Sequence, residues 1–173
     1  MYLFGASGHA KVIIDSLKAS GKKISGLFDD NPEVKELLGY KVFGPFDPLR
    51  LGNEELIISV GLNHIRKKIV ERLPDETHYG NAIHPSAIIS EHASLGKGTV
   101  VMQGAIIQSC SEIGRHCIIN TGASVDHDCK IDDFVHISPH ATLCGNVTIG
   151  EGTWIGAGTI VIPGVKIGKW CII

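Results

Sequence analysis

The chain has 173 residues, 43% of them apolar, with 16 basic and 18 acidic side chains and a formal charge of −2. That length allows one domain or two small ones, and the charge balance gives no electrostatic reason to expect nucleic acid as a partner. No apolar stretch is long enough for a membrane span, and the opening MYLFGASGHAK has neither charged leader nor cleavage site, so a cytoplasmic location is expected.

The first eighty residues alternate strand and helix. Tyr2-Leu3-Phe4 is a short apolar strand that runs into Gly5-Ala6-Ser7-Gly8-His9. Ala10, Ile13, Ile14 and Leu17 then follow the spacing of an amphipathic helix that Gly21 can end. A second strand is expected over 24–28, closed by the turn residues Asp29-Asp30-Asn31-Pro32, and a third over 56–60, followed by Gly61-Leu62-Asn63. The next helix should carry Leu62, Ile65, Ile69 and Leu73 inward and stop at Pro74. Residues 77–82 can supply one more strand. Such alternation argues for a small parallel α/β sheet with ligands at the carboxyl ends of its strands. The glycine turn suits an anion, because glycines let backbone N–H groups approach it and the helix behind favours negative charge. It is G-x-x-G rather than G-x-G-x-x-G, so a dinucleotide fingerprint is absent, and a phosphate cradle and a merely tight turn both remain open. Asp29 and Asp30 are likewise either turn residues or acceptors for a ribose or base.

From Ile83 onward the chain reads in sixes. The first position of every hexad is Ile, Leu or Val, sixteen times from Ile83 to Ile173, and the fifth is Ala, Ser, Thr, Cys or Val. A period this strict is a repeat signature. It resembles the hexapeptide-repeat family, whose members form a left-handed parallel β-helix with three hexads to each triangular coil. The fifteen complete hexads then make five coils, about 24 Å tall at ~4.8 Å between strands. Cys117, Cys129 and Cys171 fall on inward fifth positions and read as small core residues. With five cysteines and no C-x-x-C pair, free thiols in a reducing compartment are expected. The fold class is therefore an α/β Rossmann-like domain, residues 1–82, followed by a left-handed β-helix, residues 83–173.

Three histidines stand out by position. His127 occupies the outward third position of VDHDCK with Asp126 and Asp128 on either side, His136 ends the next hexad, and His140 lies in the one after. An outward histidine flanked by acids is either a hydrated surface residue or a base held in one tautomer.

The combination of GASGH, then Asp29-Asp30, then G-x-N-x-x-R, all before a hexapeptide prism, resembles the bacterial sugar O- or N-acyltransferases of the PglD and NeuD type. The resemblance covers the whole chain and implies a nucleotide-linked sugar, usually a UDP sugar, held by Gly5, Ser7, Gly8, His9, Asp29, Gly61, Asn63 and Arg66. It makes His127 the general base and Asp128 its orienting acid. Some relatives carry Glu there, one methylene longer, which leaves a direct Asp128–His127 bond open. Asn120 and His136 match positions near the acetyl thioester. Gly145, eighteen residues past His127 and so one coil onward, offers an unblocked N–H for an oxyanion. Acetyl-CoA would lie between neighbouring prisms of a homotrimer, against Gly145, Trp154 and Gly156, with no metal required. The expected reaction is N-acetylation of a UDP-4-amino-4,6-dideoxy sugar. Rival readings are O-acetylation of a sialic acid or other glycan precursor, a γ-type carbonic anhydrase with zinc on His127, His136 and His140, and a catalytically idle binding module. Because relatives continue into further coils and a cap, the resemblance also leads one to expect C-terminal coils beyond Ile173.

Overall fold

The computed structural model describes residues 1–173. Three short strands, β1 (Tyr2–Phe4), β2 (Gly26–Phe28) and β5 (Leu56–Ile58), form a parallel sheet in the order β2-β1-β5. All nine of their residues are buried, as continuous apolar runs in a sheet covered on both faces should be. Helix α1 (Gly8–Ala19) packs Ala10, Ile13, Ile14 and Leu17 on this core, as its spacing predicts. Two elements had no clear sequence signal: a hairpin of β3 (Glu36–Leu37) and β4 (Tyr40–Lys41), and the single-turn α2 (Pro48–Leu51). Helix α3 (Asn63–Arg72) buries Ile69 together with two polar residues, Asn63 and Arg66, whereas Leu62 stays half exposed at its N-terminus. The apolar periodicity of α3 is thus interrupted by a polar stripe. Residues 77–82 contribute only a bridge from Tyr79 to Leu56 before the prism begins with the strand Ala82–Ile83.

The prism has three faces of five parallel strands each, every strand paired with the one eighteen residues on. Face one comprises Ala82–Ile83, Val100–Val101, Ile118–Ile119, His136–Ile137 and Trp154–Ile155. Face two comprises Ile88–Ile89, Ile106–Ile107, Ser124–Val125, Thr142–Leu143 and Ile160–Val161. Face three comprises Ser94–Leu95, Glu112–Ile113, Lys130–Ile131, Thr148–Ile149 and Lys166–Ile167. The prism core consists solely of first- and fifth-position residues, Val101, Ala105, Ile107, Ile113 and Cys117 among them. The fourth position of every hexad from Gly98 to Trp170 has φ between +54° and +77°, the left-handed bend that turns one face into the next. Seven of those positions carry side chains other than glycine, Asp128 and Asn146 among them.

The N-terminal domain lies on face one and on the vertex where face three turns into face one. Ala82, Val100 and Met102 share a core with α1. Along the vertex, Tyr79 packs edge-on to His116, which stacks on Phe134 at 5.2 Å. No helix of the chain is long and apolar enough to cross a membrane.

Candidate active site

The vertex between faces two and three carries His127, the histidine expected to act as base. His127 projects from it half exposed, and its Nδ1 lies 2.7 Å from Asp128 Oδ2. The left-handed conformation of Asp128 (φ 59°) brings the shorter acid onto the ring. With Nδ1–H donated to the carboxylate, Nε2 is the free basic nitrogen. Asp126 accepts the His127 backbone N–H at 2.8 Å. The Asp128 hydrogen bond, and then the Asp126 charge, raise the His127 pKa above its usual 6.5. A Cβ at position 145 would stand 2.6 Å from His127 Cε1 and Nε2, so the ring lies flat over glycine and only glycine admits it. The Gly145 N–H donates to no protein acceptor.

A second group sits on face one, beneath the N-terminal domain. Asn120 Oδ1 accepts the Thr121 N–H at 2.8 Å, which leaves its Nδ2 to donate to His136 Nε2 at 3.0 Å and puts the His136 proton on Nδ1. His136 stacks on Trp154 at 5.4 Å, and the Trp154 indole N–H donates to Ser138 Oγ. His9, at the start of α1, has its ring 6.4 Å from that of His136 and packs beside Gly61. His9 Nε2 and His136 Nδ1 are both buried without a protein partner. Burial, and then the nearby Arg66 charge, push the pKa of His9 down to about 4 and that of His136 down to about 3, so both rings are neutral at physiological pH.

The glycine turn is built tightly. Gly5 has φ +110°, and a Cβ there would lie 2.8 Å from Val60 Cγ2, so a side chain is excluded on both counts. Asp29 braces the turn, accepting from Ala6 N–H at 2.6 Å and from Asn31 N–H at 2.8 Å. Ser7 and Gly8 are exposed, and Ser7 makes no side-chain cap, so the first N–H groups of α1 stay open. Asp30 is held by Arg72.

Two residues expected to touch the nucleotide do something else. Arg66 is 1% exposed, and its guanidinium is fully engaged. Nε donates to His116 O, Nη1 to Val60 O and Gly61 O, and Nη2 to Asn63 Oδ1 and Phe134 O, at 2.8 to 3.1 Å. All five N–H donors are used, so none is left for a ligand. Asn63 Nδ2 donates across the interface to the carbonyls of Gly152 and Thr153. These two residues join the N-terminal domain to the prism. The N-x-x-R spacing, one turn of helix, was the available signal, since it puts both polar groups on one face.

His127, His136 and His140 do not converge. His127 lies on the vertex between faces two and three, His136 on face one, and His140 on the vertex between faces one and two, its ring over Gly122. Nor do two sizeable concavities of the molecule contain the constellation. One of about 490 Å³ lies along face three, and one of about 510 Å³ lies between α3 and the prism, around Tyr79 and His116. Neither includes His127 or the glycine turn.

Residues 1–73 match the PglD N-terminal domain, and residues 146–173 match the bacterial transferase hexapeptide (six repeats). A histidine-to-asparagine mutant of perosamine N-acetyltransferase from Caulobacter crescentus, in complex with CoA and GDP-perosamine, is 38% identical to this chain. It superposes with a TM-score of 0.92, over 99% of this chain and 83% of that one. The acetyltransferase domain of PglB from Neisseria gonorrhoeae FA1090 in complex with acetyl coenzyme A is 33% identical, with a TM-score of 0.87 over 99% of this chain and 91% of that one. UDP-N-acetylbacillosamine N-acetyltransferase from Bacillus subtilis is 44% identical over 109 residues, 58% of this chain and 50% of that protein. GDP-perosamine N-acetyltransferase from Escherichia coli O157:H7 is 28% identical over 166 residues, 92% of this chain and 67% of that protein. The chain thus spans about half to two thirds of these curated relatives. On its α/β N-terminal domain, its left-handed parallel β-helix and these similarities, the chain belongs to the PglD-type, hexapeptide-repeat sugar N-acetyltransferases.

Proposed function

We propose that this protein transfers the acetyl group of acetyl-CoA to the amine of a nucleotide-linked amino sugar. The observation that carries the mechanism is the His127–Asp128 pair lying over Gly145 on an exposed vertex. His127 Nε2 takes a proton from the amine as its nitrogen attacks the thioester carbonyl. The Gly145 N–H meets the oxyanion that forms. Collapse of the tetrahedral species breaks the C–S bond, and the proton on His127 passes to the departing CoA sulfur. Asp128 keeps the ring in the right tautomer and stabilises the imidazolium.

The sugar nucleotide is held at the glycine turn, with the open N–H groups of α1 toward its phosphates. Gly5, Ser7, Gly8, His9 and Gly61 line that site, and Asp29 shapes it. This site lies over face one, whereas His127 stands on the opposite vertex of the triangle. A single copy holds the two on opposite sides of the prism. A homotrimer solves this by setting the His127 vertex of one copy against the Asn120, His136, Trp154 and Gly156 side of the next, with acetyl-CoA between them. Face two, with Ile88, Ile160 and Ile162 each more than 60% exposed, supplies the apolar contact. Light scattering should report three copies, and a monomer at working concentration contradicts this assembly.

GDP is favoured over UDP as the carrier, because a relative similar over 99% of the chain was solved in complex with GDP-perosamine. The relative named for a UDP sugar aligns over 58%. The test is CoA release from acetyl-CoA with GDP- and UDP-linked amino sugars side by side, with the acetylated product identified by mass. Turnover with the amino sugars and none with their hydroxyl counterparts is expected. Transfer to hydroxyls alone would return the reading to O-acetylation.

A further inference from the structure

Directly beneath the candidate catalytic vertex, the prism core contains a short column of hydrogen-bond donors. Ser111 and Cys129 are successive fifth-position residues of this column, both with no exposed surface. Ser111 Oγ donates to the carbonyl of Asp126 at 2.6 Å and accepts the Cys129 N–H at 3.1 Å. One coil on, Cys129 Sγ donates to the carbonyl of Cys144 at 3.3 Å. Burial raises the Cys129 pKa, so the thiol keeps its proton and remains a donor. No backbone N–H reaches either carbonyl.

These two carbonyls belong to the peptide units Asp126–His127 and Cys144–Gly145. A trans peptide points its C=O and N–H in opposite directions. Drawing Asp126 O and Cys144 O into the core therefore turns the His127 and Gly145 N–H groups outward. The first meets Asp126 Oδ1, and the second is the open donor over which His127 lies. A donor on the carbonyl also polarises the same amide and strengthens its N–H.

Thr99 with Cys117 and Thr153 with Cys171 repeat the hydroxyl half of this arrangement under the vertex that carries the N-terminal domain, and Cys117 Sγ adds the thiol bond, to Asp132 O, so the device itself belongs to the architecture. Its placement here is specific. Along the column under His127, which reads Ala93, Ser111, Cys129, Val147 and Val165, the only two donors stand under the base and under the oxyanion amide. We infer that Ser111 and Cys129 are positioning residues for acetyl transfer, orienting the peptide units that present His127 and the Gly145 N–H. This rests on the roles given to those two groups above.

The test compares Cys129→Ala, Cys129→Val and Cys129→Ser with the parent and with His127→Ala, by steady-state kinetics on the full chain. Valine already occupies this column at Val147, so it replaces alanine as the test if the smaller side chain destabilises the core. Loss of the thiol donor should lower kcat by about 3- to 10-fold, less than the roughly 10²–10³ that removal of an oxyanion donor costs. KM for acetyl-CoA should move less than about twofold, as expected for an interaction made in the transition state. Cys129→Ser keeps a donor and should recover the parental kcat to within about twofold, whereas a merely structural role would leave kcat insensitive to the donor. Parental kcat in Cys129→Ala or Cys129→Val, alongside an inactive His127→Ala, overturns the inference and leaves the base assignment standing. A fully active His127→Ala refutes the base assignment, whatever Cys129 does.

Discussion

Arg66→Ala separates an interdomain tie from a nucleotide contact. The parent side chain is an almost fully buried cation with no carboxylate partner, neutralised by four backbone carbonyls and Asn63 Oδ1. Its pKa is lowered to about 10 by burial. Truncation leaves the His116 and Phe134 carbonyls buried without their Arg66 donors, at about 1–3 kcal/mol each, and opens a void between α3 and the prism. Relief of the desolvated charge offsets part of this, so the net loss from the unpaired carbonyls and the void should be about 3–5 kcal/mol. For a chain of this length about 2–4 °C is lost per kcal/mol, which puts the expected fall in Tm at roughly 6–20 °C. Thermal unfolding by circular dichroism reads it. Arg66→Lys should recover less than half, because one ammonium cannot span five acceptors. A Tm within 2 °C of the parent, combined with lost nucleotide binding, would rule out the interdomain tie and return Arg66 to the ligand site; that threshold lies well below the roughly 6 °C minimum expected here.

Asp128→Asn removes the largest contribution raising the His127 pKa. The base works deprotonated, so the rising limb of the kcat–pH profile should move to lower pH, and the loss at high pH should be smaller than in His127→Ala. An unmoved limb would detach Asp128 from the base. Asp29→Ala takes away the acceptor for two N–H groups of the glycine turn. Thermal protection by nucleotide should weaken while protection by CoA persists, and equal nucleotide protection of variant and parent would remove Asp29 from the site. His9, His116 and His136 are held neutral, with pKa values of about 4, 4 and 3 against an ordinary 6.5. Below pH 6.5 the unfolded chain binds protons that the folded chain refuses. Stability should therefore fall as pH drops, by about 2 kcal/mol per histidine at pH 5. A denaturant midpoint unchanged between pH 7 and pH 5 would contradict this.

The prism was legible because its constraint is local and periodic. An aliphatic side chain must point inward every six residues, and first- and fifth-position residues alone make the core. Helix α1 was equally plain from Ala10, Ile13, Ile14 and Leu17. The hairpin at 36–41 and the turn of α2 were not, being too short to show a period. Arg66 and Asn63 read as ligand contacts in the sequence because a polar pair at helical spacing looks the same whether it faces a ligand or carbonyls 50 to 90 residues away. Cys129 illustrates a similar limit. Its inward position made it a small core residue, and so it is, but its bond to Cys144 O depends on a partner fixed only by the coil stacking. The separation of His127 from the glycine turn follows from counting faces, yet it acquires meaning only once the N-terminal domain is seen on face one.

We place the base at His127, on a vertex that a second copy completes. The most direct measurement is CoA release by His127→Ala, at saturating acetyl-CoA and a GDP-linked amino sugar, on protein verified as folded and trimeric. His127 is outward, and the core positions of its hexad are Val125 and Cys129, so the fold should be untouched. A general base at His127 predicts a turnover lower by roughly 10²–10⁴, with CoA still bound. Full turnover over saturating ranges of both substrates, in a folded trimer, would contradict it.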